Sequence, residues 1–282
     1  MRHTAQKPFA PVVSIVNFGS PLPAPTEIKV RSRFTRFRRQ AANLTAVAMV
    51  LVLTALATGE VDAQQRVSKH FNAGKSVRLE LKNVSGQVEV ESWNRNEIKI
   101  SATLESSATR FAPRQLGDEL IVDLLGDNRG HDVGDVNFKI QLPVNSSVDV
   151  ETRRGDIRVT NMHGGFVRAR VSSEGDITLA GINASQIVAQ STIGNIYFDG
   201  EFANGGMYEF QTTVGEITIR IPGESAFKLV AASSTRQISL GHFWNKGFQS
   251  FGNGRKYVGD VGDGRASVSV TNLKGGITFL RR

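Results

Sequence analysis

The chain has 282 residues, with 34 Lys and Arg against 26 Asp and Glu, no cysteine, and a formal charge of +8 at pH 7. The missing cysteine excludes a disulfide framework, a thiolate zinc site, a cysteine nucleophile and the acylated cysteine of a lipoprotein. The charge does not mark a nucleic-acid binder, because residues 1–63 hold eight of the bases and three of the acids, leaving 26 bases against 23 acids over the other 219 residues, which is no phosphate-binding footprint.

Residues 1–29 are Pro-rich and unpatterned, and Val30 read as an alternative start would leave a leader of ordinary length. A basic run from Arg31 to Arg39 then precedes an apolar stretch from Ala41 to Ala57, and Val61-Asp62-Ala63 precedes Gln64. This is the layout of a cleaved export signal, with the mature chain expected to start at Gln64. The rival is a retained membrane anchor, which Thr45, Thr54 and Thr58 weaken.

Residues 64–147 read as an N-terminal β region continuous with a repeat array that begins at residue 148. Leu79, Leu81, Asn83, Gly86, Val88 and Val90 spell strand, corner, strand. A turn at Ser92–Glu97 leads into an alternating strand at Ile98–Ala102, with further strands expected at 120–124 and 136–142. The oxygen-rich segment from Asp127 to Asp135 reads as an exposed hairpin loop, since it lacks the spacing of a calcium loop. Pro143 to Ser147 turns into the array.

The array, 148–282, carries Gly-x-Ile-x-aliphatic at Gly155, Gly175, Gly194 and Gly215, in steps of 20, 19 and 21 residues. A degenerate copy comes next at Arg236-Gln237-Ile238 and a last one at Gly275-Gly276-Ile277. A fixed short period means stacked units that cannot bury their apolar faces alone. Apolar residues seven and five positions before each corner, and Ser, Thr or Asn three before it, define a second strand per unit: Val148/Val150/Thr152, Ile187/Ala189/Ser191, Tyr208/Phe210/Thr212, Leu229/Ala231/Ser233 and Val268/Val270/Asn272. The predicted fold is thus all-β, a solenoid of roughly 20-residue two-strand rungs. Ahead of Gly175 the register slips: Arg168, Arg170 and Ser172 fall in the inward columns, and a one-residue bulge would return Val167, Ala169 and Val171 to the core.

Residues after the corner glycines form a polar column, Asp156, Asp176, Asn195, Glu216 and Gln237. Stacked at strand spacing, two carboxylates could hold a hard cation or act as an acid–base pair; the alternative is that outward strand positions are simply polar. Arg154-Gly155-Asp156 owes two of its three residues to the repeat. Between 241 and 265 lie Phe243, Trp244, Phe248, Phe251 and Tyr257, five of the 17 aromatics after residue 63, interleaved with Lys246, Arg255 and Lys256. This insert is the candidate binding surface, for a glycan or an envelope protein, unless its rings pack down as a lateral cap. His70, His131, His163 and His242 are scattered without ligand spacing, and no catalytic signature or cofactor motif is present.

Asn83-Val84-Ser85-Gly86-Gln87-Val88-Glu89-Val90, the Trp93 turn, the Leu142-Pro143 entry and the serial Gly-Asp-Ile rungs resemble a bacterial family of candidate adhesins, exported β-solenoids related to adhesin-head domains of unknown function. The resemblance covers roughly residues 75–280 and implies an envelope or surface solenoid without assigned catalytic residues. The expectation is an exported, non-enzymatic protein of the periplasm or cell surface, acting as an adhesin, scaffold or stress-related interaction module. A carbohydrate-active enzyme on a β-helical frame is the alternative.

Overall fold

Strand periodicity governs the computed structural model, which describes residues 65–244 and 247–282. The leader, the expected cleavage before Gln64, and Lys246 lie outside the described residues. The N-terminal part contains β1 (Gln65–Asn72), β2 (Arg78–Ser85), β3 (Val88–Trp93) and β4 (Glu97–Leu104). Then come β5 (Arg114–Leu116), β6 (Glu119–Asp123), the single helical turn α1 (Leu124–Asp127) and β7 (Val136–Pro143). Paired strands continue the chain: β8 (Ser147–Arg154) with β9 (Ile157–Thr160), and β10 (Phe166–Glu174) with β11 (Ile177–Ile182). Next are β12 (Gln186–Ile193) with β13 (Ile196–Gly200), and β14 (Met207–Val214) with β15 (Ile217–Ile221). The last segment holds β16 (Phe227–Ser233), β17 (Ile238–Ser239), β18 (Gln249–Phe251), β19 (Lys256–Val261), β20 (Ala266–Lys274) and β21 (Ile277–Arg281).

Each rung places one strand in each of two facing sheets and bends between them at the corner glycine. The first sheet runs β1-β4-β7-β3-β9-β11-β13-β15-β21-β17, and the second β18-β19-β16-β20-β14-β12-β10-β8-β2-β6-β5. Rungs stack in parallel with matched register, so Val88, Ile157, Ile177, Ile196, Ile217 and Ile277 form one inward column, buried throughout. The second sheet answers with Val148/Val150, Val167/Ala169, Ile187/Ala189 and Tyr208/Phe210, all buried. Parallel strands covered on their inner face must be aliphatic there, and each such side chain contributes about 1.5–3 kcal/mol. Toward the C-terminal end the filling turns aromatic. Phe198 meets Phe210 at 5.2 Å, and Phe227 stacks on Phe279 at 5.9 Å.

Space does not follow sequence at either end. The Gly275 copy reads as terminal, yet β20 pairs with β14 on one side and β16 on the other, while β21 sits between β15 and β17. The Glu216 carboxylate accepts the Gly276 N–H at 2.9 Å, at the place where serial order would put Gln237. At the other end, rung β2–β3 lies inside rung β6–β7, flanked by β8–β9. Antiparallel additions close both ends: β4 and β1 on β7, β5 on β6, and β19 with β18 on β16. Three of the outermost strands are only two or three residues long, β5, β17 and β18, which blunts edges that would otherwise recruit further strands.

Two local expectations resolve here. The β10 register shifts by one residue between Val171 and Glu174, so Val167, Ala169 and Val171 are buried and Arg168 and Arg170 face outward. The bulge thus exists, and Arg168 forks onto the Asp149 carboxylate at 2.8 and 2.6 Å. The segment 127–135, in contrast, is not a hairpin loop. It joins β6 in one sheet to β7 in the other, making it the corner of a rung. Buried Asn128 and Val133 hold it down: the Asn128 side chain bonds both the N–H and the carbonyl of Arg110, and Thr109 Oγ1 donates to the Val133 carbonyl.

Candidate functional site

The corner column is the first place where the sequence points to chemistry. Gly86, Gly155, Gly175, Gly194, Gly215 and Gly275 have φ between 106 and 152°. Each stacks on its neighbour so closely that an added Cβ on Gly155 to Gly275 would lie 1.8–2.3 Å from the previous glycine's carbonyl oxygen. Only glycine fits such an approach. The buried hydroxyls and amide three residues upstream serve the same corner. Ser191, Thr212 and Asn272 donate to the carbonyls of Gly175, Gly194 and Gly215 at 2.9, 2.9 and 2.7 Å.

Four members of the polar column, Asp156, Asp176, Asn195 and Glu216, serve the same corner. Asp176 N–H donates to Asp156 Oδ1 at 2.8 Å, Asn195 N–H to Asp176 Oδ1 at 2.7 Å, and Glu216 N–H to Asn195 Oδ1 at 2.9 Å. Each side chain satisfies a backbone donor that the bend leaves without a ladder partner. Asp156 and Asp176 are thereby structural acceptors, and Arg154-Gly155-Asp156 has its aspartate tied to the next rung. No group of three His, Asp or Glu side chains suited to a metal ion occurs among the described residues. The four histidines are exposed and separate.

The aromatic insert divides into three. Phe243 and Phe248 are buried, Phe243 against Phe227 and Phe279 at 5.7 and 6.4 Å. Trp244 is 56% exposed; it stacks on Phe248 at 6.0 Å and meets the Tyr257 ring edge-on at 5.7 Å. Tyr257 pairs with buried Ala231, which puts this ring group at the open end of the core. Phe251, 48% exposed, pairs with Lys256, which pairs in turn with Ala232 on the outer face. Cap and exposed surface are therefore both present in one segment, carried by different residues.

The intercalated C-terminal rung brings further residues to the insert. β16 ends in Ala232 and Ser233, with Ser234 in the turn that follows, and it lies between β20 and β19. Longer side chains on the two flanks leave a trough over this small-residue strand, lined by Arg255 and Lys256 on one wall and by Thr271, Asn272 and Leu273 on the other. Its walls stand two strand spacings apart, about 10 Å. Leu273 is half exposed. Lys274 comes next in the chain, and Arg236 turns the neighbouring corner at φ 64°. Arg255, Lys256, Lys274 and Arg236 are all exposed, and none forms an ion pair among the described residues. Serial stacking hides this site, because it places β20 outside β16 and Leu273 far from Lys256.

A model of the Toastrack DUF4097 family matches residues 74–279. No curated protein matches the chain. Among solved structures, a candidate cell adhesion protein from Clostridium sporogenes aligns with a TM-score of 0.50 at 15% identity, over 78% of this chain and 100% of its own. A candidate adhesin from Bacteroides fragilis aligns with a TM-score of 0.30 at 8% identity, over 78% and 99% of the two chains. A candidate lipid-binding protein from Parabacteroides distasonis gives 0.29 at 9% identity, over 77% and 97%. With its corner glycines, hydroxyl column and two-sheet rungs all inside the matched region, this chain belongs to the Toastrack DUF4097 family, a β-solenoid domain of unknown function.

Proposed function

We propose that the chain is exported and that its solenoid works without catalysis as a surface-interaction module of the bacterial envelope, an adhesin or scaffold. The observation that carries this reading is the cap: a stack closed at both ends presents exposed Trp244, Phe251, Arg255 and Lys256 on one segment. Exposed rings beside unpaired cations on a rigid frame are the composition of an interaction surface. The solved Clostridium sporogenes structure of the same fold, described as a candidate cell adhesion protein, agrees with it. Export is read from the leader, and no described helix is long and apolar enough to cross a membrane.

A carbohydrate-active enzyme would need an acid and a base poised in one groove. Asp156, Asp176 and Glu216 each accept a backbone amide of an adjacent rung, a structural use of the column that supports the non-catalytic reading. The test is fractionation of cells producing the full chain, with intact-mass measurement and a surface-attachment assay. The expected result is a chain starting at Gln64 in the envelope fraction, and loss of attachment when the protein is removed. An unprocessed cytosolic chain, or depolymerisation of a glycan by the purified protein, refutes the reading.

A further inference from the structure

We propose that the trough between β19 and β20 binds an acidic polysaccharide, a glycan chain bearing carboxylate, phosphate or sulfate groups. The inference rests on the reading of the cap as the interaction surface and names the ligand that the surface takes. Arg255 and Lys256 line one wall of the trough, and two further exposed cations follow its other lining segments in the chain, Lys274 directly after Leu273 and Arg236 two residues after Ser234. They arrive from three separate segments: Lys256 opens β19 and Lys274 ends β20, the two strands that flank β16, while Arg255 precedes β19 and Arg236 follows β16. Among the described residues none of the four is ion-paired, and no acid lines the trough. A site with this balance attracts anions and repels cations.

The shape selects among anionic partners. The small side chain of Ala232 lies between the longer ones of Lys256 on one side and Thr271 and Leu273 on the other, which leaves a channel along which a single extended chain can lie. Leu273, half exposed, gives an apolar face in the wall against which a sugar ring can rest.

The test uses the protein recovered from the envelope, titrated calorimetrically with polygalacturonate, with neutral dextran, and with vesicles of phosphatidylcholine and phosphatidylglycerol. Binding is expected with polygalacturonate alone, weakening steeply with added salt. The double variant Arg255→Ser, Lys256→Ser should raise Kd by about tenfold or more, with its melting temperature unchanged because both side chains are exposed. Lys99→Ser with Lys139→Ser, an equal loss of charge on the other sheet, should leave Kd unchanged. Equal weakening by both double variants, equal binding of dextran, or binding of the vesicles in place of the polyuronate overturns the proposal. If attachment to cells persists while none of the three probes binds, the trough is refuted as the site and the surface-interaction reading stands.

Discussion

Gly194→Ala tests the corner more sharply than any core substitution. The added Cβ would lie 2.0 Å from the Gly175 carbonyl oxygen and 2.6 Å from its carbon, at φ 151°. Ordinary contact needs about 3.5 Å, so two rungs must separate by about 1.5 Å at this corner. The ladder resists on both sides, through Gly175 N–H to the Ile193 carbonyl at 2.9 Å and Gly194 N–H to the Val214 carbonyl at 2.8 Å. Backbone strain of about 1–3 kcal/mol and overpacking of about 1–3 kcal/mol add to the weakening of one ladder bond, about 1 kcal/mol. The sum, about 3–7 kcal/mol, takes up much of the roughly 5–15 kcal/mol by which a domain is stable. Gly205→Ala is the matched control, because Gly205 also has positive φ, 73°, but nothing within 4 Å of a Cβ. It should cost only the backbone part, about 1–2 kcal/mol. Urea unfolding of both variants, analysed with a common slope, reads the difference. Equal destabilisation by the two would show that rung crowding does not dictate glycine here, and the account of the repeat would fail.

Deleting residues 266–282 removes an interior rung, so the truncated chain should lose cooperative thermal unfolding; a shift of only a few degrees would mean that the rung is peripheral. Phe243→Ala should cost about 3–5 kcal/mol because the ring is buried against Phe227 and Phe279. Trp244→Ala should cost much less for a side chain 56% exposed, and differential scanning calorimetry of the two variants separates cap from surface. Burial pushes the Tyr208 hydroxyl above its ordinary value of 10.0. The folded state therefore holds this proton more tightly than the unfolded one, and the associated stability is complete below pH 10 and lost as pH rises beyond it. The urea midpoint should fall on the alkaline side, and Tyr208→Phe should reduce that fall while lowering stability at neutral pH. Without its hydroxyl, the Ala203 N–H and Ala184 carbonyl lose their partner.

The periodic sequence by itself determined the rung. Glycine every twenty residues, alternation on both sides and a short polar residue upstream are local demands: one bend, two pleated strands, one satisfied corner. Because every rung makes the same demands, the inward isoleucines, the hydroxyl column and even the bulge at Val171 emerge from pattern alone. The polar column shows where pattern stops. Asp156 and Asp176 read equally well as ligands or as solvent-facing positions, and only the donor geometry at the next rung shows that backbone amides occupy them. Tertiary structure alone decided the order of stacking. Rungs with the same period are interchangeable to any argument from spacing, so nothing in the repeat says whether β20 stacks outside β16 or slips between β16 and β14. That choice is made by pairwise contacts, such as the Glu216 carboxylate with the Gly276 N–H and Phe279 with Phe227, between residues about 50–60 positions apart. The trough inherits this: its walls are neighbours only because the last rung of the sequence is not the last rung of the stack.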